Sequence, residues 1–301
     1  FLIINIFRRV NIKKEDKVVF LSCNKGIILI SALLSCVYRS VKIYLICHAF
    51  FEDLLKPDYQ PERIYSVWNV MNISGLFPRL NYIVFSPFVK NELRGKISKR
   101  TIKKIHFLHH PIECGNQIYR KQVDTDCIII GVYGAGVNGN AYKVINYVNT
   151  HSESKNYLFR IMQSSGFLKT TSFSKYPREN TSIVKYKGGM DRRTRIEEMK
   201  KIDWILIPYG SDSYRAGMSG ILADAIKYEI PILGLNSPII KWYGKSGIGI
   251  VGDSVEDLGN KIIQMLSQPQ DSYKAYYNAI HRTKSIIKEK NVIYMREIFD
   301  S

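Results

Sequence analysis

Short, near-continuous apolar runs alternate with segments of helical period along the whole chain. Residues 17–22 read as a strand, followed by a helical stretch from about 26 to 38. Residues 41–47 form the next strand pattern and 81–86 another, with a polar amphipathic helix at about 87–97 and a strand at 104–109. Val/Ile runs without polar alternation belong to strands covered on both faces, and strand–helix–strand order joins such strands in parallel. Between His110 and Asp126 the pattern breaks at Pro111, Gly115 and a polar run, which reads as a linker. A second set follows. Its strands are expected at 127–133, 157–162, 182–186, 203–207, 231–235 and 248–251, and its helices at about 140–150, 219–228, 254–267 and 270–290. A last helix at about 291–300 ends the chain. The pattern predicts an α/β protein of two Rossmann-like domains with parallel sheets and an interdomain cleft. The divisions are 1–120, 121–290 and a terminal helix at 291–301.

The length of 301 residues agrees with two domains at about 100–200 residues each. A hydrophobic share of 46% against 23% charged residues excludes wholesale disorder. Charge changes the picture more. The 44 Lys and Arg against 26 Asp and Glu leave a net +18, which predicts an anionic partner: nucleic acid, anionic lipid or a phosphorylated small molecule. Residues 1–120 hold 19 basic and 8 acidic residues, so that part carries the larger excess. Its densest patch is Lys90, Arg94, Lys96, Lys99, Arg100, Lys103 and Lys104, opposed by Glu92, and reads either as a solvated face or as an anionic surface site. Five cysteines (Cys23, Cys36, Cys47, Cys114, Cys127) are odd in number and lack CxxC spacing. Three lie in apolar runs, where they read as buried reduced thiols of a cytosolic protein. No apolar run reaches the ~18 residues of a membrane span. The opening Phe1-Leu-Ile-Ile-Asn-Ile-Phe is too short for a secretory signal and does not begin with Met, so the chain is expected to be a fragment.

The stretch from Tyr209 to Leu233 carries the most specific chemistry. It reads as a strand end, a loop holding Gly217, Met218 and Gly220, and a helix beginning near Ser219. A helix N-terminus offers unpaired N–H groups and partial positive charge to a phosphate. Ser219 adds a hydroxyl, Arg215 a full charge, and Asp224, about one turn on, a carboxylate for a ribose diol; the bland alternative is Ser219 as an ordinary N-cap with Arg215 solvated. Gly134, Gly136 and Gly139 satisfy GxGxxG after a strand and before a helix, the dinucleotide-binding pattern. The acid that pattern wants at the end of the next strand is missing, for Tyr157–Met162 runs into Gln163-Ser164-Ser165. His106, His109 and His110 lie on a strand without a Cys or carboxylate cluster, which argues against a metal.

The run Tyr214–Leu233, with Pro238, Trp242 and Gly247-Ile-Gly249, resembles the donor-binding signature of GT-B-fold glycosyltransferases, particularly retaining family 4. The resemblance covers most of residues 41–290. It places Asp224 at the family's second acidic position, which binds the ribose, while the first position falls on Ala216, which carries no acid. It implies that His48 faces the donor sugar and that His109-His110-Pro111 leads into the linker. Lys187-Gly188 seats the nucleobase, and the turn at Gly134, Gly136 and Asn138 faces the donor phosphates. Arg215, Lys143 and Arg160 are candidates for the family's missing cations at that turn. The catalytic set implied is His48, Arg215 and Asp224. The donor-binding set is Gly134, Gly136, Asn138, Lys187, Gly188, Tyr209, Gly217, Met218, Ser219 and Gly220. No cofactor and no metal are implied, the nucleotide-sugar being a UDP- or GDP-linked substrate. The family's opening strand and helix have no counterpart here, so the first domain is expected to be incomplete.

These readings converge on a hexosyltransferase, retaining by resemblance, that acts on a glycan or lipid-linked acceptor in bacterial surface polysaccharide synthesis. It would be cytoplasmic, with peripheral contact at the anionic inner face of the plasma membrane. Two alternatives stand beside it: an NAD(P)-dependent oxidoreductase using the glycine turn, and a degenerate, non-catalytic GT-B protein. A nucleic-acid partner is not expected, since no binding motif or aromatic platform accompanies the basic run.

Overall fold

The computed structural model describes residues 12–48, 50–52, 55, 67–112, 127–134, 139–164, 180–186, 190–211 and 213–300. It divides into two compact units. The first comprises Phe1–His110, Arg215–Met218 and Lys290–Ser301; the second comprises Pro111–Tyr214 and Ser219–Glu289.

In the first unit the elements run β1 (Lys17–Phe20), α1 (Lys25–Val37), β2 (Lys42–Cys47), α2 (Val67–Ser74), β3 (Leu80–Val84), α3 (Val89–Leu93), α4 (Lys99–Lys103) and β4 (Ile105–Phe107). The four strands are parallel in the order β1-β2-β3-β4. Asn24 starts α1 by accepting the Ile27 N–H at 2.9 Å, and Ser98 caps α4 through the Thr101 N–H. The core gathers Ile43, Leu45, Leu80, Tyr82, Val84, Val89 and Ile105. Lys104, from the basic run, donates to the Gly75 and Phe77 carbonyls at 2.8 and 2.5 Å, just past the end of α2. Burial, with Arg100 nearby, lowers its pKa, so this charge is spent inside the fold.

The second unit runs β5 (Ile128–Tyr133), α5 (Gly139–His151), β6 (Tyr157–Ser164), β7 (Thr181–Tyr186), α6 (Arg192–Met199) and β8 (Trp204–Ile207). It continues with α7 (Gly220–Tyr228), β9 (Ile232–Leu235), α8 (Pro238–Gly244), β10 (Gly249–Gly252), α9 (Val255–Ser267) and α10 (Pro269–Asp300). All six strands are parallel, in the order β10-β9-β8-β5-β6-β7. From β5 the chain builds outward to β6 and β7, then crosses over to β8 and builds the other way. The strand order therefore reverses between β5 and β8, and in open parallel sheets ligands bind at the carboxyl ends of the strands flanking such a reversal. Trp204, Phe159, Leu206 and Ile262, all fully buried, fill the core beneath it.

The alternation of strands and helices is as the hydrophobic pattern predicts, with four differences. The helices expected at 270–290 and 291–300 are one continuous helix, α10, because nothing in Lys288-Glu-Lys-Asn291 breaks helical geometry. Its last part belongs to the first unit: the Tyr44 hydroxyl donates to the Ile298 carbonyl at 2.9 Å, and the Tyr44 ring meets Phe299 at 4.6 Å. The helix expected over 87–97 is only the short α3, ended by Arg94 in extended geometry and Gly95 at φ +80°. Helices α2, α4, α6 and α8 were not legible in the apolar pattern, being short or largely polar. Of the cysteines described, only Cys47 is buried; Cys36 is exposed on the outer side of α1, and Cys23 and Cys127 are half-buried. Around Cys36 the apolar residues Leu33 and Val37 are themselves exposed, at 67% and 74%. Among the described residues no helix is long and apolar enough to cross a membrane.

Candidate functional site

The chemistry in the second unit collects at the reversal. β5 ends on Tyr133 and turns at Gly134, whose φ of +55° is a left-handed geometry that glycine adopts at little cost. A Cβ at Gly134 would stand 3.5 Å from Ile221, so this turn lies beside the first turn of α7. β8 ends at Ile207 and continues through Pro208, Tyr209 and Gly210. The Asn140 side chain, in the first turn of α5, donates to the Pro208 carbonyl at 3.4 Å. The starts of α5 and α7 and the turns after β5 and β8 thus share one edge of the sheet.

Ser219 is the N-cap of α7. Its hydroxyl accepts the Leu222 N–H at 3.3 Å and pairs with the Tyr209 hydroxyl at 2.8 Å, fully buried. The Ala223 N–H goes to the Ser219 carbonyl. That leaves the N–H groups of Gly220 and Ile221 without a partner among the described residues, as the first turn of a helix must unless something accepts from it. Gly220 is exposed, and a Cβ placed there would meet nothing within 4 Å. The donors left open at this end are therefore backbone N–H groups, with Ser219 holding the helix start.

Asp224 lies one turn further along α7, its side chain mostly buried. The Tyr133 hydroxyl and Arg195 Nη1 both reach the same oxygen, Oδ2, at 3.4 Å each. Oδ1 has no partner among the described residues. Burial raises the carboxyl's pKa above the ordinary carboxylate value, and Arg195 and Lys227 offset only part of that. Tyr133 is raised well above a normal phenol, first by burial and then by the Asp224 charge.

His48, Arg215, Gly217 and Met218 belong to the first unit. His48 follows the last residue of β2, exposed, with its ring 5.0 Å from Phe85 and 6.0 Å from His110. The Phe85 ring, buried at the end of β3, supports both imidazoles, the second at 4.9 Å. Arg215, expected to offer its charge to a phosphate, instead gives Nη2 to Glu92 at 2.5 Å. Gly217 and Met218 are buried in the loop that follows. Gly136, Asn138, Lys187 and Gly188 lie outside the described residues. Three functional candidates escaped the sequence reading: Arg195, Glu52 and Glu92. Arg195 had a signal, the Arg192-Arg193-Thr194-Arg195 run at the start of a helix after a strand. For Glu52 and Glu92 the partners are more than 120 residues away, and nothing local marks them. Among the described residues no group of three His, Cys, Asp or Glu is placed to hold a metal ion.

No family model and no curated protein matches the chain. Solved structures do. The HepE protein of Anabaena, crystallised in complex with UDP-glucose, superposes with a TM-score of 0.62 at 9% identity over 94% of this chain and 79% of its own. TarM superposes at 0.71, with 12% identity, over 99% of this chain and 57% of its own. A glycosyltransferase from Rickettsia africae superposes at 0.64, with 14% identity, over 99% and 79%. The fold is GT-B. Its structural neighbours are glycosyltransferases of that fold, while identities this low speak for the architecture alone.

Proposed function

We propose that this GT-B chain is a glycosyltransferase that takes a hexose from a UDP- or GDP-linked donor to a glycan or lipid-linked acceptor in surface polysaccharide synthesis. The observation that carries the reading is at the β5/β8 reversal. There, an open helix N-terminus and a mostly buried carboxylate with one unpartnered oxygen stand one helical turn apart, a spacing suited to a diphosphate and its ribose. HepE, with UDP-glucose, supplies the precedent for the donor on this fold.

In this reading the Gly220 and Ile221 N–H groups and the α7 dipole stabilise the diphosphate as the bond to the anomeric carbon breaks. The new bond forms from the anomeric carbon to an acceptor hydroxyl oxygen, whose proton passes to the departing nucleoside diphosphate. Asp224 accepts the ribose hydroxyls through Oδ1, with Tyr133 and Arg195 fixing its other oxygen. Arg215 is engaged by Glu92, so the helix start, rather than that guanidinium, carries the diphosphate. Lys187 and Gly188 keep the nucleobase, and His48 the sugar, as the family resemblance assigns them; retention of configuration rests on the same resemblance. The reaction needs no metal and no cofactor. A cytoplasmic protein held peripherally at an anionic membrane suits the basic excess of residues 1–120. The dinucleotide alternative is weaker, because β6 runs through Gln163 to Ser164 without the acid that would hold an NAD ribose.

Titration calorimetry with UDP, GDP and NAD⁺ tests the proposal. One nucleoside diphosphate should bind and NAD⁺ should not, and Asp224→Asn should weaken that binding about tenfold. Binding of neither diphosphate would sink it.

A further inference from the structure

The segment 215–218 leaves Tyr214 in an unusual state. Tyr214 has φ +57°, a left-handed geometry that a bulky side chain adopts only when its surroundings enforce it. The next two residues are held by side chains distant in sequence. Glu52, 163 residues earlier in sequence than Arg215, turns its carboxylate onto this backbone. Oε1 accepts the Arg215 N–H at 3.1 Å, and Oε2 accepts the Ala216 N–H at 2.8 Å. The Ser86 hydroxyl donates to the Arg215 carbonyl at 3.4 Å, and Glu92 holds the guanidinium. Every polar group of Arg215 that these contacts involve is thus met from three separate segments of the first unit. Two parallel N–H bonds to one carboxylate are charge-assisted and fix direction as well as distance.

The place is informative. Ala216 is where the family resemblance puts its first acidic residue, and this chain has none there in sequence. It has instead a carboxylate supplied from a distant segment, on the backbone N–H of that same residue. Three residues on, the chain enters Ser219, the N-cap of α7.

We infer that Glu52 is a positioning residue: its carboxylate locks the Arg215–Ala216 backbone so that Gly217 to Gly220 enter α7 in the geometry a donor diphosphate needs. The inference rests on the donor reading above for its consequence, but the lock itself is a property of the ligand-free protein. Glu52→Gln is the appropriate variant. It keeps size and one acceptor, and it sets an amide N–H₂ against one of the two backbone donors.

Two measurements on the full chain decide the matter. Amide hydrogen exchange without ligand should quicken about tenfold or more at Arg215 and Ala216 in Glu52→Gln, with the protection of β5 and β8 unchanged. UDP and GDP titrations, run well below the variant's own melting transition, should then show several-fold weaker binding while β5 and β8 keep their protection, which a merely structural loss would not produce. Unaltered exchange at 215 and 216 overturns the lock. Faster exchange with unaltered nucleotide affinity overturns its role in positioning. A wild-type protein that binds neither nucleotide contradicts the donor reading and, with it, the positioning role, while the exchange result still decides whether the lock exists.

Discussion

His109 is 5% exposed, its ring stacked on Tyr294 at 6.0 Å and its carbonyl accepting from the Asn291 side chain at 3.1 Å. Burial, aided by Lys290, pushes its pKa from 6.5 down to about 4, so the fold holds the ring neutral. The unfolded chain takes up the proton near 6.5. Stability is therefore fully present above about pH 6.5 and is lost as the pH falls from there to about 4, by about 3 kcal/mol at most. His106 is shifted in the same direction by burial and Lys90, and adds to the slope. Urea unfolding at pH 7 and pH 4.5 should show His109→Phe removing most of this difference; an unchanged difference would contradict the account. At the same scale Gly220 and Gly249 separate ligand from fold. A Cβ at Gly220 meets nothing, so Gly220→Ala should leave stability equal or raise it by about 0.5 kcal/mol while weakening nucleotide binding. A Cβ at Gly249 would stand 2.0 Å from the Ile232 carbonyl oxygen, so Gly249→Ala should cost about 3 kcal/mol in thermal or chemical unfolding. Both glycines stand out in the sequence, but which one is open and which one serves packing depends on the neighbours that the fold brings to each.

At the scale of elements, the inner strands β2, β3, β5, β8 and β9 are readable because each is an apolar run largely buried on both faces, whereas the edge strands β1 and β7 are half exposed. The start of α7 was readable too, since Ser219 is the kind of residue that caps a helix. What the pattern did not reveal follows from how the elements are stabilised. Helix α6 carries Arg192, Arg193, Thr194 and Arg195 in its first turns and has almost no apolar stripe, its N-terminus being held by Asp191 on the Thr194 N–H at 3.0 Å. Arg195 is tied to the start of α7 by its contact with Asp224 at 3.4 Å, which no local pattern marks. The unity of α10 was hidden because its early and late parts cover different cores. Tyr44→Phe should cost about 1 kcal/mol of first-unit stability, since the buried hydroxyl's bond to the Ile298 carbonyl is lost. Ending the chain at Glu289 should cost far more, because Tyr44, Phe107 and His109 all lose their aromatic cover from Tyr294 and Phe299. Differential scanning calorimetry of the two variants checks the order; equal melting temperatures would refute it.

For the whole molecule, the sequence-level resemblance and the architecture agree on GT-B, and the glycine loops fall where the reversal of strand order needs them. The residue roles are where a linear reading ran out. Arg215 looked free for a phosphate, yet a glutamate 123 residues away in sequence takes its guanidinium. Ser219 looked like a ligand group, yet Tyr209 and the helix backbone take its hydroxyl. Around the start of α7, the groups without a partner among the described residues are the Gly220 and Ile221 N–H groups and Asp224 Oδ1. Because burial raises the Asp224 pKa, nucleotide affinity should begin to fall at a higher pH than an ordinary carboxylate would dictate as the solution is acidified. Calorimetric titration of UDP and GDP into the wild-type chain and into Asp224→Asn tests the central claim most directly. The account predicts saturable binding of one nucleoside diphosphate, weakened about tenfold in the variant; no binding of either, or equal binding by the two proteins, would contradict it.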